Sequence, residues 1–124
     1  MRIKKLLDSI GRDVDTVSPD ETVYDALALM AKKEIGALVV VEKKKMVGII
    51  SERDYARKVI LKGKSSKKTR VREIMTSDVI HVSPDHKVGK CLSLMTKKRI
   101  RHIPVLENNQ LVGLLTIEEI KGKI

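Results

Sequence analysis

The stretch MVGIISERD, Met46 to Asp54, decides the fold. Met46 to Ile50 is an apolar run of strand length, and Glu52 opens a segment with helical spacing. At the junction a hydroxyl, Ser51, stands three residues ahead of a carboxylate, Asp54. That spacing suits the capping of a helix start, where free backbone N–H groups and the positive dipole end also favour an anion. The junction returns as LVGLLTIEE, Leu111 to Glu119, with Thr116 in place of Ser51 and Glu119 in place of Asp54.

Working outward, the two junctions are ends of a repeat. Shifted by 65 residues the chain lies on itself without a gap: Val17-Ser18-Pro19-Asp20 falls on Val82-Ser83-Pro84-Asp85, Leu29-Met30 on Leu94-Met95, and Val47-Gly48 on Val112-Gly113. Two copies, each too small to bury a core alone, imply mutual packing rather than a solenoid. Within a copy, Asp13 to Val17 is a short extended piece stopped by Ser18-Pro19. Val23, Leu27, Met30 and Ala31 recur at helical spacing, with Thr22 or Asp20 as cap and an end near Glu34. Ala37 to Val41 and Met46 to Ile50 are buried strands around the polar turn Glu42 to Lys45, and Glu52 to about Leu61 is a second helix. The unit is strand, helix, strand, strand, helix, which places the chain in the α+β class. The partition by repeat is 1–62 with an N-terminal helical turn, a basic linker over 63–70, and 71–124. Lys62 to Arg72 carries six basic residues and no acid, the pattern of a flexible, solvated connection. Arg72 to Met75 echoes Leu7 to Ile10, and the last helix is short enough to fray.

Composition narrows the function classes. There is no Phe or Trp, so the core is aliphatic and offers no base-stacking platform. One cysteine, Cys91, excludes an internal disulfide and suits a reducing compartment. No run reaches the roughly 20 apolar residues of a membrane span, and the N-terminus lacks a signal-peptide pattern; the expected setting is the cytoplasm, with no membrane partner. His81 and His86 have no partners at metal-ligand spacing, and no nucleophile–base–acid set is present, so neither metal site nor catalysis is expected. The net charge of +10 lies mostly in the linker and second half and favours anionic partners.

On the VSPD openings, the second strands IGALVV and IRHIPV, and the junctions GIISERD and GLLTIEE, the chain resembles a tandem pair of CBS motifs, a Bateman module, from about Leu6 onward. The resemblance implies two motifs packed by their sheets about a pseudo-two-fold axis, with two clefts for adenosine-containing ligands. It implies a first cleft of Ile49, Ser51, Arg53 and Asp54 with Met75, Ile80, Ile100, Arg101 and His102. Asp54 would take the ribose hydroxyls, and Arg101 or His102 would meet phosphate. A second, weaker cleft would use Asp15, Ile35, Gly36, Thr116 and Glu119, its acid one methylene longer and Asp15 repelling phosphate. The implied function is regulatory sensing of AMP, ADP or ATP, with S-adenosylmethionine or NAD less favoured, by a non-enzyme that acts on an unidentified regulated protein. A homodimer is expected, through apolar residues (Leu27, Met30, Tyr55, Val59, Met95) that two thin sheets would leave uncovered. The competing readings are nucleic-acid binding through the basic linker, weakened by having only two aromatic residues, and a ligand-free dimerisation module.

Overall fold

A computed structural model describes residues 1–122. The chain divides into two compact units, Asp15–Val79 and Met1–Val14 with Ile80–Ile124. They are called here the first-repeat and second-repeat units.

In the first-repeat unit, β1 (Thr16–Val17) pairs in parallel with β2 (Ala37–Glu42), which pairs antiparallel with β3 (Lys45–Ser51). Between β1 and β2 runs α2 (Val23–Lys33), capped by Thr22, whose hydroxyl accepts from Asp25 N at 3.1 Å. Lys32 and Lys33 occupy its last turn, the favourable end of the dipole for cations, and Glu34 ends it in the left-handed region. The helix after β3 begins as α3 (Glu52–Tyr55) and continues as a π-helical turn, Ala56–Ile60. The short α4 (Val71–Ile74) closes the unit, and Ile49 on β3 bridges Thr76 just beyond it. Val23, Ala26, Met30, Leu38, Val40, Ile50, Val59, Val71 and Ile74 make one aliphatic core.

The second-repeat unit repeats this plan. A parallel bridge, Val82 to Val105, stands where β1 pairs β2; α5 (Val88–Lys98) follows, then the hairpin β4 (His102–Glu107) and β5 (Gln110–Thr116), then α6 (Ile117–Lys121). The 65-residue register holds in detail. Each hairpin shifts register at the same place, between Val40 and Val41 and between Val105 and Leu106. Glu34 and Arg99 both end their helices with positive φ. Glu52 N donates to Gly36 O as Ile117 N does to Arg101 O. The core of Val88, Cys91, Met95, Ile103, Val105, Leu115 and Ile120 is completed by Ile3, Leu6 and Leu7 of α1 (Ile3–Ile10).

Four expectations need correcting. The linker side chains are solvated, but its backbone is not a free tether: Val23 N donates to Thr69 O and Tyr24 N to Ser66 O, both at 2.9 Å. The linker carbonyls thereby satisfy amides that the first turn of α2 would leave unpaired, and Thr69 is buried. The echo between the two pre-motif turns is offset by 68, not 65. Val71 N and Arg72 N donate to Glu21 O and Pro19 O, as Ile3 N and Lys4 N donate to His86 O and Pro84 O. The longer α1 absorbs the three extra residues, and α1 packs in the unit of the second repeat while α4 packs in that of the first. Met30, Val59 and Met95, expected to be left uncovered, are buried, because these pre-motif helices add a further apolar surface to each core. Finally, α6 is anchored rather than frayed, by a capping box and by fully buried Ile120; residues 123–124 of the expected second motif lie outside the described residues.

Candidate ligand-binding junctions

At the first junction Ser51 leaves β3 in extended conformation and caps α3. Its hydroxyl accepts from Asp54 N at 3.2 Å, while Asp54 Oδ2 accepts from Ser51 N at 3.0 Å and from Ser51 Oγ at 3.1 Å. Two further donors reach Oδ1: Thr76 Oγ1 at 3.3 Å and Lys58 Nζ at 3.1 Å. Lys58 also donates to Ile74 O at 2.9 Å. Asp54 is 9% exposed, so this carboxylate is a buried charge satisfied by four donors. The lysine is foreseeable from its i+4 spacing on the helix; Thr76, 22 residues away, is not. The arrangement can present a fixed negative charge and a hydroxyl at a helix start.

The second junction keeps the cap. Thr116 accepts from Glu119 N at 3.2 Å, and Glu119 Oε1 accepts from Thr116 N at 3.0 Å and Thr116 Oγ1 at 3.1 Å. No ion pair to Glu119 is present among the described residues. Where the first junction has Lys58, the second has Lys123 in sequence, outside those residues.

The other expected residues fall as follows. Ile49, Arg53 and Met75 belong to the first-repeat unit with Ser51 and Asp54, and so do Asp15, Ile35 and Gly36. Ile80, Ile100, Arg101, His102, Thr116 and Glu119 belong to the second. Met75 lies over Gly48, where an added Cβ would stand 2.7 Å from its sulfur, so the glycine makes room for it against β3. Arg53 is exposed on α3. Asp15 pairs with Lys33 at 3.8 Å, which softens its expected repulsion of phosphate. Arg101, exposed, pairs with Glu118 in the first turn of α6. Backbone and Arg101 hydrogen bonds hold the Glu118 carboxyl below its ordinary range. Arg101 would have to give up that partner to meet phosphate. Cys91 lies in the core, where burial pushes its thiol up to about 11. No group of His, Cys, Asp and Glu suited to a metal ion occurs among the described residues, nor does any helix long and apolar enough to cross a membrane.

Comparison with known proteins finds the CBS domain twice, over residues 7–61 and 71–124. The chain is 42% identical over 127 residues to the CBS domain-containing protein CBSX3, mitochondrial, of Arabidopsis thaliana, covering 95% of this chain and 62% of that protein. It is 35% identical over 120 residues to inosine-5'-monophosphate dehydrogenase of Methanocaldococcus jannaschii, covering 95% of this chain and only 23% of the enzyme. Among solved structures, a signal-transduction protein with CBS domains from Burkholderia ambifaria, itself described as putative, is 45% identical at a TM-score of 0.95, covering 99% of this chain and 93% of that one. The CBS domain pair of MJ0100, solved with 5-methylthioadenosine and S-adenosyl-L-methionine, is 28% identical at 0.87, covering 99% and 94%. A hexameric CBS-CP12 protein from bloom-forming cyanobacteria is 30% identical at 0.86, covering 99% and 71%.

Proposed function

The chain belongs to the CBS-domain family through both of its repeats, and from that premise we propose that it is a regulatory module for an adenosine-containing ligand, with no catalysis of its own. The observation that carries the reading is the Ser51–Asp54 junction, a buried carboxylate and a hydroxyl at a helix start. The adenosine ligands of the similar MJ0100 pair support the ligand class. AMP, ADP and ATP are the first choices, S-adenosylmethionine and NAD the next. Asp54 takes the ribose hydroxyls, since an ionised acceptor makes the stronger hydrogen bonds. Ile49, Met75 and the neighbouring aliphatic side chains suit an adenine face. Thr116 and Glu119 form the weaker counterpart, the longer acid being less closely set.

Calorimetry and thermal shift with the five ligands test the reading. At a hundredfold excess over Kd a ligand that binds only the folded state adds about 2.7 kcal/mol, roughly a 10 °C rise in Tm for a chain of this size. Asp54→Ala is expected to lose at least tenfold in affinity. Absence of binding at millimolar concentration, or an unchanged affinity in the variant, would overturn the proposal. Self-association belongs to the same reading, supported by the hexameric relative and by the exposed Tyr24, Ile60 and Leu61; light scattering checks it. The proposed setting is the cytoplasm, with a regulated protein as the module's partner.

A further inference from the structure

The two repeat units differ at one equivalent place in a way that points to a ligand. In the first-repeat unit the Arg72 guanidinium joins two carboxylates: Nη2 lies 2.7 Å from Asp20 Oδ1 and 3.2 Å from Glu42 Oε2, and Nε is 3.1 Å from Asp20 Oδ1. The 65-residue register puts Asp85 at the place of Asp20 and Glu107 at that of Glu42. Both carboxylate-bearing residues are kept, but the arginine is replaced by a lysine. The backbone of Lys4 occupies the position of Arg72, donating to Pro84 O as Arg72 donates to Pro19 O. No lysine or arginine is ion-paired with Asp85 or Glu107 among the described residues. Arg2 does not substitute, since its guanidinium donates to the Asp85 main-chain carbonyl, as Arg70 does to Asp20 O in the first-repeat unit.

What stands there instead is an open cavity of about 430 Å³, lined by Asp85, Glu107, His81, His86, Ser83 and Asn108 among others. His86 takes the place of Glu21, its Nδ1 accepting from Ser83 N at 3.1 Å where Glu21 Oε2 accepts from Ser18 N at 2.6 Å. That bond leaves the neutral ring with its proton on Nε2. The lining therefore combines two carboxylates with amide and imidazole groups, and the related place in the same chain holds a planar guanidinium.

We propose that the Asp85–Glu107 cavity is a binding site for a guanidinium group, the arginine side chain of a partner polypeptide. A guanidinium fork bonds carboxylates through fixed, planar N–H groups, whereas an ammonium acts as a point charge; Lys4 makes no ion pair with Asp85 or Glu107 among the described residues. This site lies wholly within the second-repeat unit and does not depend on the adenosine reading.

The test is a ¹⁵N-NMR titration of the full chain with N-acetyl-arginine methylamide, and with the lysine analogue as control. The arginine probe is expected to shift the Asp85, His86, Asn108 and Asn109 amides at low millimolar concentration, with the lysine probe at least fivefold weaker. The double variant Asp85→Asn, Glu107→Gln should lose the response while keeping its remaining spectrum, since both residues are exposed. Lys4→Arg should seat its own guanidinium and abolish probe binding. No shift at 10-fold higher probe, equal response to lysine, or a response that survives the double variant or Lys4→Arg would overturn the proposal.

Discussion

Asp54 serves the fold before it serves any ligand. Its carboxylate closes the capping box and neutralises Lys58, so Asp54→Ala is expected to cost about 1–3 kcal/mol of stability with no ligand present. Chemical denaturation of the unliganded variant measures that cost, and affinity must be read where the variant remains folded. Cys91 makes a second prediction at this scale. Burial raises its pKa from 9.0 to about 11, so the native state holds the thiol proton more tightly than the unfolded chain does. The stability this gives is fully present below pH 9 and is lost as the pH rises through 11, by at most about 3 kcal/mol. Denaturation curves of the native chain against Cys91→Ala across that window should show the difference, and a thiol reagent at pH 8 should react only as fast as the core opens. The two helix caps of the candidate site were legible in sequence as a spacing, Ser51 to Asp54 and Thr116 to Glu119. The occupancy of Asp54 was not, because Thr76 reaches it through a fold-dependent approach rather than a local one.

The repeat makes each element its own control. The turn of the first hairpin places Lys43 and Lys44 at φ 53° and 66°, and the turn of the second places Asn108 and Asn109 at 52° and 64°. Such turns need positive φ at both central residues, which Asn tolerates and Lys resists. Lys43→Asn with Lys44→Gly should therefore stabilise the chain by about 1 kcal/mol, whereas Asn108→Lys should do the reverse, both read as shifts in denaturation midpoint. Gly48 and Gly113 form a second pair. A methyl at Gly48 would meet Met75 Sδ at 2.7 Å and Thr76 O at 3.0 Å, and a methyl at Gly113 would meet Leu7 Cδ2 at 2.6 Å. A leucine end can rotate away, but the Thr76 carbonyl is fixed by accepting from Ile49 N at 3.0 Å. Gly48→Ala should accordingly be the costlier change, by about 1–2 kcal/mol over Gly113→Ala, in the same assay. Strands and helices were readable because their periodicity is local. The role of the linker was not: its lysines announce solvent, while its contribution lies in carbonyls that sequence does not distinguish.

At the scale of the whole chain, the repeats and the compact units are not the same segments. Ile3, Leu6 and Leu7 complete the core of the second-repeat unit although they precede the first repeat. A fragment of 15–79, which keeps α4 with its core, should hence show more helix by circular dichroism than a fragment of 1–62, which lacks it. A fragment cut at the repeat boundary, 71–124, should show no cooperative thermal transition unless a peptide of 1–14 is added. Leu7→Ala should cost about 2–4 kcal/mol, an effect on the second-repeat unit produced from a segment ahead of the first repeat. The repeat was legible from self-similarity, but the exchange of pre-motif turns was not, since Ile3–Leu7 and Val71–Met75 are apolar patterns that suit either core. The same interleaving sets an order of events during translation. The ribosome delivers residues 15–79 as a block that carries its own pre-motif helix, whereas residues 1–14 leave the exit tunnel before that block and find their partners after it. Until β4 and β5 emerge, the apolar face of α1 waits without its core, a surface that a chaperone can cover.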